Sequence, residues 1–187
     1  MAQKTLTSEE YRRAHEVLER FVRRFEPSYR LLAWHAALPL VLTPELLNHL
    51  RNRFLRGQVP WIAEADLLLS ELCRQVGYEL YAMDTAVRAY LLHETRDIPE
   101  FNCANRMQEV ARLLIHYVRH LAQTNPAFSE HELRAQQWAA MVYLDQLRGT
   151  AVREIVESYQ NCFTSTAEGT LTGKVLVDQA EMNRLSG

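Results

Sequence analysis

The chain has 187 residues, of which 48% are hydrophobic and 24% charged, with a net charge of −2. This is ordinary globular composition on a chain long enough to bury its own core, and it excludes low-complexity and disulfide-stapled classes. Residues 1–60 carry a net +4 and residues 61–187 a net −6, an asymmetry too mild for a nucleic-acid footprint.

Thr7-Ser-Glu-Glu10 has the form of a capping box, with a hydroxyl and a carboxylate each satisfying a backbone donor. It predicts a helix to about Phe25, with Tyr11, Ala14, Leu18, Phe21, Val22 and Phe25 along one stripe. On the opposite face Glu9 and Arg13, Glu16 and Arg20, and Glu19 and Arg23 stand at i,i+4 spacing, which predicts intrahelical ion pairs. Pro27 ends this helix, and a largely buried second one is expected over residues 28–38.

Thr43-Pro44 is a start signal, an N-cap hydroxyl before a proline whose missing N–H costs nothing there. The helix it opens is expected to reach about Arg56, stopped by Gly57 and turned by Pro60. A fourth helix is expected from Ile62 to Cys73. Residues 76–83 fit both an alternating strand and a helical stripe. Gly77 as punctuation and Asp84 as a cap favour one short strand, then a helix from Thr85 to Glu94.

A loop follows, then a helix from about Ala104 to Gln123. Ser129-Glu-His-Glu132 forms a second capping-box pattern ahead of a helix to about Leu147, and a last helix is expected from Ala151 to Cys162. The whole reads as a mainly α single domain over residues 1–163, of seven or eight helices. Residues 164–187 read as a weakly structured tail.

No catalytic constellation stands out. There is no nucleophile elbow, phosphate-cradling glycine loop or dinucleotide fingerprint, and no cofactor is expected. Cys73, Cys103 and Cys162 are isolated and lack ligand spacing, which suits reduced thiols in a cytoplasmic protein. His116 and His120 stand at i,i+4, but on a charged face without further ligands, so no metal is expected. His35, among Leu31, Leu32, Trp34 and Leu38, reads as a hydrogen-bonded core histidine. The first residues lack a leader pattern, and no apolar run approaches the roughly 20 residues of a membrane span.

Two short segments could contact a partner. Arg51, Arg53 and Arg56 are the most compact basic group and could touch phosphates. Val59, Pro60 and Trp61, rimmed by Arg56 and Gln58, form a turn with a candidate aromatic anchor. The competing reading makes Trp61 a core residue that staples the turn.

The phrases HAALPLVLTPELLNHLR, VPWIAEADLLLSELCRQVGYELY and MDTAVRAYLL, within about residues 28–160, resemble a helical module of large cyanobacterial multidomain proteins. There it stands beside formylglycine-generating-enzyme-like, caspase-like or other effector and sensor domains. The resemblance implies a non-catalytic adaptor or accessory module of a bacterial conflict, immunity or signalling system. Its partner would be an effector, sensor or ATPase component. Residues 44–94, in the order helix, helix, short strand, helix, also resemble a winged helix, which implies a DNA-binding transcriptional regulator as the alternative. The helix from Ile62, with Glu64, Asp66 and Glu71 and no basic residue before Arg74, favours protein over DNA.

Overall fold

The computed structural model describes residues 7–102, 106–124, 130–141, 143–144 and 149–157. Among them the fold is mainly helical, with eight helices, one small antiparallel sheet and a further helical stretch over residues 149–157. The expected tail at 164–187 and the second capping box at Ser129 lie outside the described residues.

Helix α1 spans Ser8–Arg24 and opens on the expected box: Thr7 Oγ1 accepts from Glu10 N at 3.2 Å, and Glu10 Oε2 accepts from Thr7 N at 2.9 Å. It buries Ala14, Leu18 and Phe21. None of the three expected pairs forms among the described residues: Glu16 meets Arg12 within the helix at 3.7 Å, and two of the others give way to tertiary partners. Glu19 is held by Arg30, and Arg20 reaches Glu71 at 2.9 Å. Exposed i,i+4 pairs are worth only about 0.3–0.5 kcal/mol, so a neighbouring element readily takes the partner.

Helix α2 spans Ser28–Ala36, and α3 spans Pro44–Phe54 with Thr43 Oγ1 accepting from Leu46 N at 3.0 Å. Gly57, at φ +79°, turns the chain in a conformation that a side chain would strain. Helix α4 is Ile62–Leu68, shorter than the expected run to Cys73. Ser70 explains the early stop: its Oγ donates to Leu67 O at 2.7 Å and accepts from Leu72 N at 3.1 Å, taking over groups that a continuing helix would use.

The single strand expected near 76–83 is a hairpin. Strands β1 (Cys73–Gly77) and β2 (Leu80–Met83) pair antiparallel, with Gln75 opposite Tyr81 and a bulge between Gln75 and Gly77. Glu79 turns the chain at φ 54°. On the other side of β2, Leu42 and Tyr81 exchange two backbone bonds, at 2.7 and 2.9 Å. The elements run in the order α2, Leu42, α3, α4, β1, β2, and Leu42, ahead of α3, adds a bridge to the hairpin.

Helix α5 (Thr85–Glu94) is capped by Asp84, whose Oδ1 accepts from Ala86 N and Val87 N at 2.9 and 3.1 Å. It packs on α1 and α2 through a shared polar node. Glu94 accepts from Trp34 Nε1 at 2.7 Å, Arg30 at 3.3 Å and Tyr90 OH at 3.4 Å, while His15 Nδ1 lies 2.9 Å from Tyr90 OH. Burial first, then the charge of Glu94, pushes the Tyr90 phenol up to about 12.

Short α6 (Pro99–Asn102) leads to α7 (Arg106–Thr124) and α8 (Glu130–Met141), which pack against one another. Trp138, fully buried, donates to Glu154 Oε2 at 2.8 Å and so ties α8 to the helical stretch 149–157. Gln136 grips the chain ahead of Leu42, accepting from Leu40 N at 2.8 Å and donating to Val41 O at 2.6 Å. Gln136→Ala leaves both backbone groups without that partner and is expected to cost about 2 kcal/mol in urea unfolding. A loss below about 0.5 kcal/mol would mean that water replaces the amide without penalty.

Candidate functional site

The outer face of α4 carries the largest apolar exposure next to the expected turn. Ala63, Leu67 and Leu68 point into the core. Trp61, Ile62 and Leu69 point out, at 70%, 41% and 77% exposure. Residues 62, 65 and 69 share one helical side, with Trp61 at its leading edge.

The carboxylates of α4 are drawn away from this stripe to both flanks. Glu64 is held by Arg51 of α3 and approached by Asn48 at 3.3 Å, and Asp66 accepts from Tyr29 OH of α2 at 2.8 Å. Burial, followed by the Asp66 hydrogen bond, pushes the Tyr29 phenol up to about 12, so it stays a donor. The surface between these anchored acids is therefore apolar rather than charged.

Of the five residues expected at the contact, Arg56, Gln58, Pro60 and Trp61 are exposed. Val59 is not: at 3% exposure it belongs to the core, with its N–H bonded to Leu55 O at 3.1 Å. A tight turn around Gly57 folds one apolar residue inward and leaves the next ones out. Ile62 and Leu69 complete the surface and were missed by the periodicity. The available signal was that IAEADLLL is apolar on more sides than a helix with one buried face requires.

The basic group is divided. Arg51 is committed to Glu64 with its side chain 13% exposed, and Arg53 and Arg56 remain at the surface. His116 and His120 are both exposed on α7, and among the described residues no three His, Cys, Asp or Glu side chains are grouped to hold a metal. Cys73 is largely enclosed and its thiol is pushed up to about 12 by burial, which removes thiolate reactivity. Cys103 and Cys162 lie outside the described residues. A shallow depression of about 220 Å³ between Leu92, Phe101, Met107 and Tyr143 has Arg96 as its one charged lining residue among the described residues and does not adjoin α4. Among the described residues no helix is long and apolar enough to cross a membrane.

No protein-family model, curated protein or solved structure matches this chain.

Proposed function

We propose that this chain is a non-catalytic protein-interaction module that docks a partner protein on the outer face of α4. The observation that carries this reading is the solvent-facing stripe of Trp61, Ile62 and Leu69, with the flanking acids tied to α2 and α3. Interfaces concentrate their energy in such aromatic anchors inside a polar border, here Arg56 and Gln58. The adaptor role in a bacterial conflict, immunity or signalling assembly, an effector, sensor or ATPase component as partner, and a cytoplasmic location rest on the sequence resemblance.

A DNA-reading winged helix is the other class. It would present cations from the helix in the α4 position, whereas the outer face there is apolar and Arg51 is already engaged. Duplex affinity comes from counterion release by several clustered cations.

Trp61→Ala separates these readings. It is expected to leave the thermal midpoint within about 2 °C, as surface substitutions do, and to weaken capture of the partner from source-cell lysate at least about 30-fold. Unchanged capture by the folded variant removes this face from consideration. Sub-micromolar duplex binding at about 150 mM salt, lost when Arg51, Arg53 and Arg56 are replaced, makes the regulator the better reading.

A further inference from the structure

We propose that the outer edge of β1 is a second docking site, one that takes an extended segment of a partner polypeptide as an added strand. Tyr81 gives both its N–H and its C=O to Leu42, so its polar groups face away from β1. Gln75 stands opposite Tyr81 and is therefore the non-bonded member of that antiparallel pair. Its own N–H and C=O point outward, away from β2. The neighbouring bonds agree with this phase: Asp84 N donates to Leu72 O at 2.8 Å, and Cys73 N turns back to Ser70 O at 3.2 Å.

The outward row thus consists of Cys73 C=O, Gln75 N–H and Gln75 C=O. No described residue bonds to the two Gln75 groups; its side chain instead donates to Gly77 O at 3.0 Å. Arg74, Gln75 and Val76 are all exposed, so nothing described covers this row. The bulge that commonly blunts an edge lies between Gln75 and Gly77, beyond the pairing position. One residue of an incoming strand can exchange both bonds with Gln75, and a second can donate to Cys73 C=O.

The side chains specify the occupant further. Arg74 is exposed and has no ion pair with any described residue, so a carboxylate beside it complements the edge. Val76 and Tyr78, at 48% and 88% exposure, offer apolar surface towards the hairpin tip. The segment expected is extended, with an acidic residue flanked by β-branched or aromatic ones. This site stands on the hairpin and does not depend on the α4 face.

Gln75→Pro tests the proposal cleanly, because the N–H it removes is not part of the β1–β2 ladder and proline is tolerated on an outward edge. The probe is a displayed library of random 12-residue peptides selected on the full chain. Acidic, β-prone binders are expected. Their affinity should fall at least about tenfold with Gln75→Pro and stay within about twofold with Trp61→Ala. Proton exchange at the Gln75 amide should slow at least about tenfold on saturation with such a peptide, which supplies a readout in the unaltered protein. Failure to select any binder, equal binding to Gln75→Pro, or an unprotected Gln75 amide at saturation would overturn the proposal. Concentration-dependent dimers abolished by Gln75→Pro would also overturn it, assigning the edge to a second copy of this chain. Loss of partner capture in Trp61→Ala is read separately and bears only on the α4 face.

Discussion

Replacing Glu94 with Ala is expected to lower the unfolding free energy by about 3 kcal/mol, the lower end for breaking a buried pair from one side. The lower end applies because the Arg30 and Glu94 side chains keep 23% and 21% exposure. The substitution leaves the Trp34 indole N–H without its acceptor and removes one of two partners from Arg30, which keeps Glu19, and from Tyr90, which keeps His15. Three helices, α1, α2 and α5, lose their common node. Glu94→Gln keeps an oxygen for Trp34 and should cost less than half as much. Urea unfolding of both variants measures this. A loss under about 1 kcal/mol for the alanine variant would show that the node is solvated in solution and holds nothing together.

Acid should destabilise the fold through His35. The ring is 3% exposed, its Nδ1–H donates to Leu31 O at 2.7 Å, and its Nε2 has no partner among the described residues. Phe54 and Phe101 flank it at 5.4 and 5.0 Å. Burial lowers its pKa from 6.5 to about 4, and the charge of Arg106 acts in the same direction, against the backbone bond to Leu31. Between those two values the unfolded chain holds a proton that the folded chain does not. Stability therefore rises with pH across the window and is lost as pH falls from 6.5 to about 4. The full loss is about 3 kcal/mol, flattening below the folded value. Carboxylates titrate in the same range, so the informative quantity is the difference between wild type and His35→Leu. Parallel stability curves for the two proteins from pH 4 to 7 would falsify the assignment.

Local chemistry was legible where one residue decides the outcome. Thr7, Thr43 and Asp84 each cap the helix that their spacing announces, because an N-cap needs only a side-chain oxygen and a free N–H nearby. Only Val76 and Gly77 of β1 fall in the expected strand, while Cys73 falls at the end of an expected helix, and the reason is physical. β1 has one neighbour in the sheet and shows no alternation of buried and exposed residues, so the period of two never develops. Its turn also lacks the usual signal, since Glu79 occupies a left-handed conformation that sequence patterns assign to Gly or Asn.

The candidate surface was half legible. An aromatic residue after Val59-Pro60 could be singled out, but periodicity does not say which apolar residues of a short helix face water. Ile62 and Leu69 resemble Ala63 and Leu67 in composition and differ only in direction. Ion pairs were the least legible feature, because Glu19, Arg20 and Arg51 all find partners outside their own helix, at distances along the chain that local spacing cannot anticipate.

The Glu94 node also orders events during synthesis. Its bonds join residues 60, 64 and 75 positions apart, from Trp34 to Glu94, Arg30 to Glu94 and His15 to Tyr90. Helix α1 leaves the ribosome long before α5 exists, and translation at about 5–20 residues per second leaves a gap of several seconds. During that interval Ala14, Leu18 and Phe21 lack one of the surfaces that finally cover them. The hairpin and α3–α4, built from contacts close in sequence, can form first, since local contacts lose less chain entropy on closure. The nascent chain thus carries a first helix that can rest on α2 while its α5-facing side stays open, and that side closes only when residue 94 has cleared the exit tunnel.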